Sequence, residues 1–219
     1  MSAMGVLLSG VAVRNGDLDE VVDVFLSIVR GVGHRAEALA GPHRDTESSD
    51  VLCTSSPGWV TLVPHYVVPP ERLAAEMTRR LDTVASAITV YEDVFWTHHL
   101  VDRGHVVDSF ANLPGYFGEQ DYVHGHEGDP DLVAAGLGAD ASAIAPYFRQ
   151  ISVRRARSTL LPAPKAHRDD EYDLLDGWVV VELWRRMGIA WPDPSGSATT
   201  RIPLGRDAMD ALSSWLRGS

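Results

Sequence analysis

The chain carries a single cysteine, Cys53, so no disulfide can form within it. That scarcity points to a reducing compartment. No window approaches the roughly 18 consecutive apolar residues of a membrane span. The stretch from Met1 to Arg14 has no basic region ahead of its apolar residues and ends in a turn signal, so it does not read as a signal peptide. Lysine is nearly missing: Lys165 is the only lysine among 19 basic residues. Arginine codons are mostly GC-rich, so this bias points to a high-GC bacterial source and has no functional meaning. The expected location is the cytoplasm.

Positive charge is scarce overall, with a formal net charge of -11. Such a chain repels phosphate backbones unless a basic patch is set apart from the acids. The one basic cluster, Arg154, Arg155 and Arg157, is short and has no aromatics interleaved. Nucleic acid is therefore not an expected partner, nor is an anionic membrane surface. The common chemical signatures are missing too. There is no HExxH or CxxC spacing, no GxSxG elbow, no GxxxxGK[ST] phosphate loop and no GxGxxG fingerprint.

What is present is ordinary globular material: 219 residues, 45% hydrophobic and 22% charged, ample for a core without staples. Residues 4–13 read as a buried strand. Asp17 with Glu20 is a capping box, and a helix follows over 17–32. Residues 34–49 read as a polar loop broken at Gly41-Pro42. Strands are expected at 50–54 and 58–67, around a Ser55-Ser56-Pro57-Gly58 turn. Pro69-Pro70 opens a helix over 70–86 on the stripe Leu73, Met77, Leu81, Val84, Ile88. A strand over 88–100 turns at Asp102-Arg103-Gly104 into a partner over 105–110.

This order is that of a ferredoxin-like βαββαβ sheet with an extra hairpin strand. Residues 117–131 read as a long polar loop, and helices are expected near 130–138, 140–150, 172–188 and 206–217, with Pro162, Pro164 and Pro192 to Ser197 as connectors. The expected class is α+β, with a sheet domain over 1–118 and a helical C-terminal extension over 119–219 packed on it.

Five of the nine histidines fall between positions 98 and 126. His98 and His99 point to opposite faces of a strand, so they read as cross-strand polar pairs, His99 facing Asp108 and His105 facing Asp102. His124 and His126, with Glu127, Asp129 and Asp131 within reach, form a candidate metal cluster of mixed N/O type. The acidic run Asp169, Asp170, Glu171, Asp173, Asp176 offers a cation site or a general acid/base pair, but reads better as capping of the helix expected there. Cys53 reads as a small buried hydrophobe. In the helix over 172–188, Val179, Val180, Val181, Leu183, Trp184 and Met187 form the core side. Glu182 and Arg186 read as an exposed pair, and Trp178 lands on the charged face. Trp178 reads as covered by the preceding loop; the alternative is a partner anchor, since Trp178 with Arg185 has the composition of a protein-binding hot spot.

The first functional expectation is thus a non-catalytic protein, immunity-type or regulatory, that binds a protein partner, its acidity suiting a basic one. It carries no cofactor and no stoichiometric metal. The alternative is a metal-dependent enzyme or small-molecule-binding protein that uses the His- and acid-rich loop 117–131. A variant of this is a small-molecule sensor that uses the open sheet face.

Overall fold

The computed structural model describes residues 7–41, 49–118, 121–122, 124–156, 163–196 and 198–218. Of the residues named above, Met1, those at 4–6, Pro42, Arg157, Pro162 and Ser197 lie outside these ranges. The strands are β1 (Leu8–Arg14), β2 (Leu39–Ala40), β3 (Val51–Ser56), β4 (Trp59–Val63), β5 (Val84–Tyr91), β6 (Phe95–Asp102), β7 (His105–Ala111) and β8 (Thr199–Ile202). The helices are α1 (Leu18–Gly31), α2 (Pro70–Leu81), α3 (Pro130–Leu137), α4 (Ala141–Ile144), α5 (Val153–Ala156), α6 (Val179–Arg186) and α7 (Arg206–Gly218). All eight strands form one antiparallel sheet in the order β2-β8-β3-β4-β1-β5-β6-β7. The class is mixed α+β, and the sheet is larger than the sequence suggests.

Helices cover both faces. On one, Val11, Val13, Leu62, Ala85 and Val101 meet Phe25 and Ile28 of α1, Leu73 and Met77 of α2, and Leu212 of α7. On the other, Ala12, Ile88, Trp96, Leu100 and Phe110 meet Val133 and Leu137 of α3, Ile144, Tyr147, and Leu183 and Trp184 of α6. Period-two alternation along each strand serves both layers at once.

Local chemistry sets the boundaries. The Asp17 carboxylate accepts the backbone N–H groups of Asp19 and Glu20, which starts α1. The expected helix over 70–86 stops at Leu81, because Asp82 takes a left-handed conformation (φ 48°) that reverses the chain. Val84 and Ile88 keep helical spacing but belong to β5. The expected single strand over 88–100 is two strands, joined where Glu92 and Asp93 both take positive φ. The expected helix over 140–150 is α4 followed by a 3₁₀ turn at Ala145–Tyr147.

The largest differences lie near the C-terminus. β8 comes from a stretch with no strand reading, and it pairs between β2 and β3. The expected helix over 172–188 narrows to α6. Asp173 and Asp176 instead accept the N–H groups of Leu175 and Trp178 in turns ahead of it. Glu182 is not on an exposed face: it is 8% exposed, accepts the Glu171 N–H and pairs with Arg185. Arg186 reaches Asp170 at 2.8 Å and Asp169 at 2.9 Å instead.

Asp170 is buried and also accepts the Tyr147 hydroxyl (2.8 Å) and the His167 N–H (2.9 Å). Burial alone would raise its pKa. The Arg186 guanidinium and the Tyr147 hydroxyl outweigh that and hold it below the usual carboxylate range.

Candidate functional site

A cleft of about 700 Å³ opens beside α2 on the sheet face formed by β5, β6 and β7. Thr89, Thr97, His99 and Ser109 line its floor. They share a face because Thr89 pairs with Thr97, and His99 with Ser109, across neighbouring strands. The N-terminal half of α2 supplies one wall with Glu71, Arg72 and Ala75. The chain after β7 supplies the other with Phe117, Tyr122 and His126.

That second wall is tied to the sheet. Ala111 donates its N–H to the His126 carbonyl (3.0 Å), the Gln150 side chain donates to the same carbonyl (2.9 Å), and the Asp129 N–H reaches the Asp108 carboxylate (2.8 Å). Gly128 makes the close approach possible. It has φ 68°, and a Cβ there would sit 2.7 Å from Phe148 and 2.9 Å from Phe110.

A β-bulge sets the polar centre of the floor. Val101 pairs with Val106 but Leu100 pairs with Asp108, so Val107 is the extra residue. His105 does face Asp102. His99 does not face Asp108: the bulge moves the register by one, and His99 Nδ1 lies 3.0 Å from Ser109 Oγ.

His99 is 9% exposed. Burial, with His126 nearby, pushes its pKa down to about 4, so its imidazole is neutral over the physiological range. Such a ring offers one donor and one acceptor but is a weak general base for Ser109. Burial also raises the pKa of Glu71, which its own backbone and Arg72 only partly offset. The Tyr122 phenol is pushed up by burial and by the carboxylates of Glu71 and Asp121. The mouth is aromatic. Phe117 packs against Tyr91 and Phe95 at ring-centroid distances of 5.0 Å and against Tyr122 at 6.2 Å.

His98 lies on the opposite face and is fully buried. Its Nε2 is 2.9 Å from Ser86 Oγ, which also accepts the Trp184 indole N–H at 2.9 Å. Burial, with His99 adjacent, pushes its pKa down to about 3. Cys53 is fully buried in β3, and desolvation pushes its pKa up to about 12.

The residues singled out in the sequence are distributed as follows. His126 borders the cleft, while His124 and Glu127 are exposed. Asp129 caps α3 by accepting the N–H groups of Asp131 and Leu132. Among the described residues, no group of three or more His, Cys, Asp or Glu side chains is placed to hold a metal ion.

Trp178 sits half-buried at the start of α6, edge-on to Trp191 with ring centroids 6.2 Å apart. The Arg185 side chain is 59% exposed and pairs with Glu182. Ser109, Glu71 and Thr97 carry no sequence motif. Nothing local in the sequence ties the floor to α2. No helix among the described residues is long and apolar enough to cross a membrane. No family model, curated protein or solved structure matches the chain.

Proposed function

We propose that the protein binds a small organic molecule in the cleft between α2 and β5–β7, without chemical turnover. The observation that carries this reading is the cleft itself: a concave site of ligand size in which the rings of Tyr91, Phe95, Phe117 and Tyr122 stand beside a polar floor and the charged Glu71 and Arg72. The neutral His99–Ser109 pair suits orientation of a ligand better than proton transfer. We further read the scaffold as a ferredoxin-like core. The order β3-β4-β1-β5 and the placement of α1 and α2 on one face support that. β6, β7 and the following loop are the additions that build the site.

Ala75→Trp tests the reading by filling the cleft from the half-buried α2 face. A fragment set screened by saturation-transfer NMR should give hits on the wild-type chain. Those hits should weaken at least tenfold in the variant, by the order of one lost anchoring contact, with thermal stability retained. Hits indifferent to the substitution, or no hits at all, would sink the reading.

A second reading is a protein partner docked over Trp178 and Arg185. Its support is that the exposed Arg185 lies on the same helix that the half-buried Trp178 opens. On the cleft reading, Trp178 serves packing against Trp191, and Trp178→Ala should lower the melting temperature clearly, since truncating a packed tryptophan costs on the order of 3 kcal/mol at full burial. An unchanged melting temperature would move the weight to the partner.

A further inference from the structure

The wall of the cleft specifies the chemistry of what it holds. Phe117 is 50% exposed and Tyr91 is 36% exposed, although both touch other rings. Phe117 meets Tyr91, Phe95 and Tyr116 at interplanar angles of 68° to 86°. Edge-to-face contact leaves part of the ring faces uncovered, and those faces are electron-rich. Glu71 lies across from them on α2, half-buried. We propose that the cleft binds an organic ammonium ion, seated between the Glu71 carboxylate and the rings of Phe117, Tyr122 and Tyr91. The inference rests on the cleft being a ligand site.

Aromatic faces beside a carboxylate recognise alkylated ammonium groups. The rings attract the diffuse cation through their quadrupoles while the acid supplies full charge. The surrounding field has the same sign. Glu71 and Asp121 both act on the Tyr122 hydroxyl, Tyr116 donates to the Glu92 carboxylate at 2.9 Å, and the chain carries a net charge of -11.

Arg72 at the cleft and Arg217, which also acts on Glu71, are the opposing charges and would favour an anion. Both are exposed whereas Glu71 is half-buried, and a charge in water is screened far more than one against protein. The carboxylate therefore sets the preference. His99, His105 and His126 also line the cleft. His99 adds no positive charge at neutral pH, because burial and then His126 hold it unprotonated.

The test titrates the full chain by calorimetry at low salt with three probes: choline, its uncharged carbon isostere 3,3-dimethylbutan-1-ol, and benzoate. Choline should bind at least tenfold more tightly than the isostere. Glu71→Gln should abolish that preference while leaving the isostere's affinity unchanged. Phe117→Ala removes an exposed ring and is expected to fold normally, and it should weaken choline by a similar factor.

Equal affinity for choline and the isostere would overturn the ammonium inference and leave the cleft reading standing, as would binding of benzoate alone. If none of the three binds and the fragment set also gives no hit lost in Ala75→Trp, both fall together.

Discussion

Acidification from pH 7 to pH 4 is expected to lower the unfolding free energy by roughly 3 kcal/mol for each of His98 and His99. Both are buried, and their pKa values fall to about 3 and about 4 from an ordinary 6.5. In the unfolded chain each takes up a proton near its ordinary value, whereas the folded chain refuses it until far lower pH. Between these limits the unfolded state binds more protons, so stability rises with pH. The contribution is complete above 6.5 and is lost as pH falls towards about 4 for His99 and about 3 for His98.

Glu71 works in the opposite direction. Burial raises its pKa, so its ionisation costs stability as pH rises through the folded value. Asp170 adds a loss of its own as pH falls from the usual carboxylate range towards its lower folded value, because there the unfolded chain takes up a proton that the paired carboxylate refuses. Urea titrations at pH 7, 5 and 4 measure the slope. His98→Leu should reduce it by about 1.4 kcal/mol per pH unit. A pH-independent unfolding free energy would show that neither imidazole is held neutral by burial.

The second large effect centres on Trp184. It is fully buried, and its indole N–H is spent on Ser86. Its ring lies against Gly10 in β1, where a Cβ would come within 2.6 Å of Cη2 and 3.3 Å of Ile88. Glycine is needed there for space. Trp184→Ala should cost about 3–5 kcal/mol, the transfer term plus the cavity it leaves. Gly10→Val should cost about 1–3 kcal/mol through overpacking of a central strand. The two sites touch, so their effects should not add. Gly10→Ala should be markedly less harmful in a Trp184→Phe background than in the wild type. Strict additivity in that cycle would contradict the packing described.

What was legible in the sequence was what short-range chemistry decides. Asp17 starts α1 because a carboxylate two residues from free N–H groups needs no distant partner. Pro57-Gly58 turns β3 into β4, and Arg103-Gly104 turns β6 into β7, because Gly58 and Gly104 tolerate positive φ. The rest is set where a residue acts against its usual preference or through a distant neighbour. Asp82, Glu92 and Asp93 take left-handed conformations that their identities do not announce. Thr199–Ile202 contains β-branched residues but is too short to read as a strand, and it becomes one by pairing with β3 over a long separation. Glu182 reads as an exposed charge on a wheel. It is buried because the preceding loop folds over it.

The site followed the same division. The loop over 117–131 stood out by composition, and it supplies Phe117, Tyr122 and His126 to the cleft. The other half was hidden. Glu71 and Ala75 look like ordinary helix residues until α2 is laid against β6. Ser109 looks like a plain strand serine until the bulge at Val107 brings it opposite His99. A register shift of one residue is enough to give His99 a different partner, since the side-chain period of a strand is two.

The most direct test of the central claim, that this cleft is a ligand site, is a backbone-amide NMR titration of the full chain with choline. The account predicts saturable shifts concentrated at Glu71, Thr97, His99, Ser109, Phe117 and Tyr122, absent in Ala75→Trp. Shifts that centre on Trp178 and Arg185, or that persist in Ala75→Trp, would contradict it.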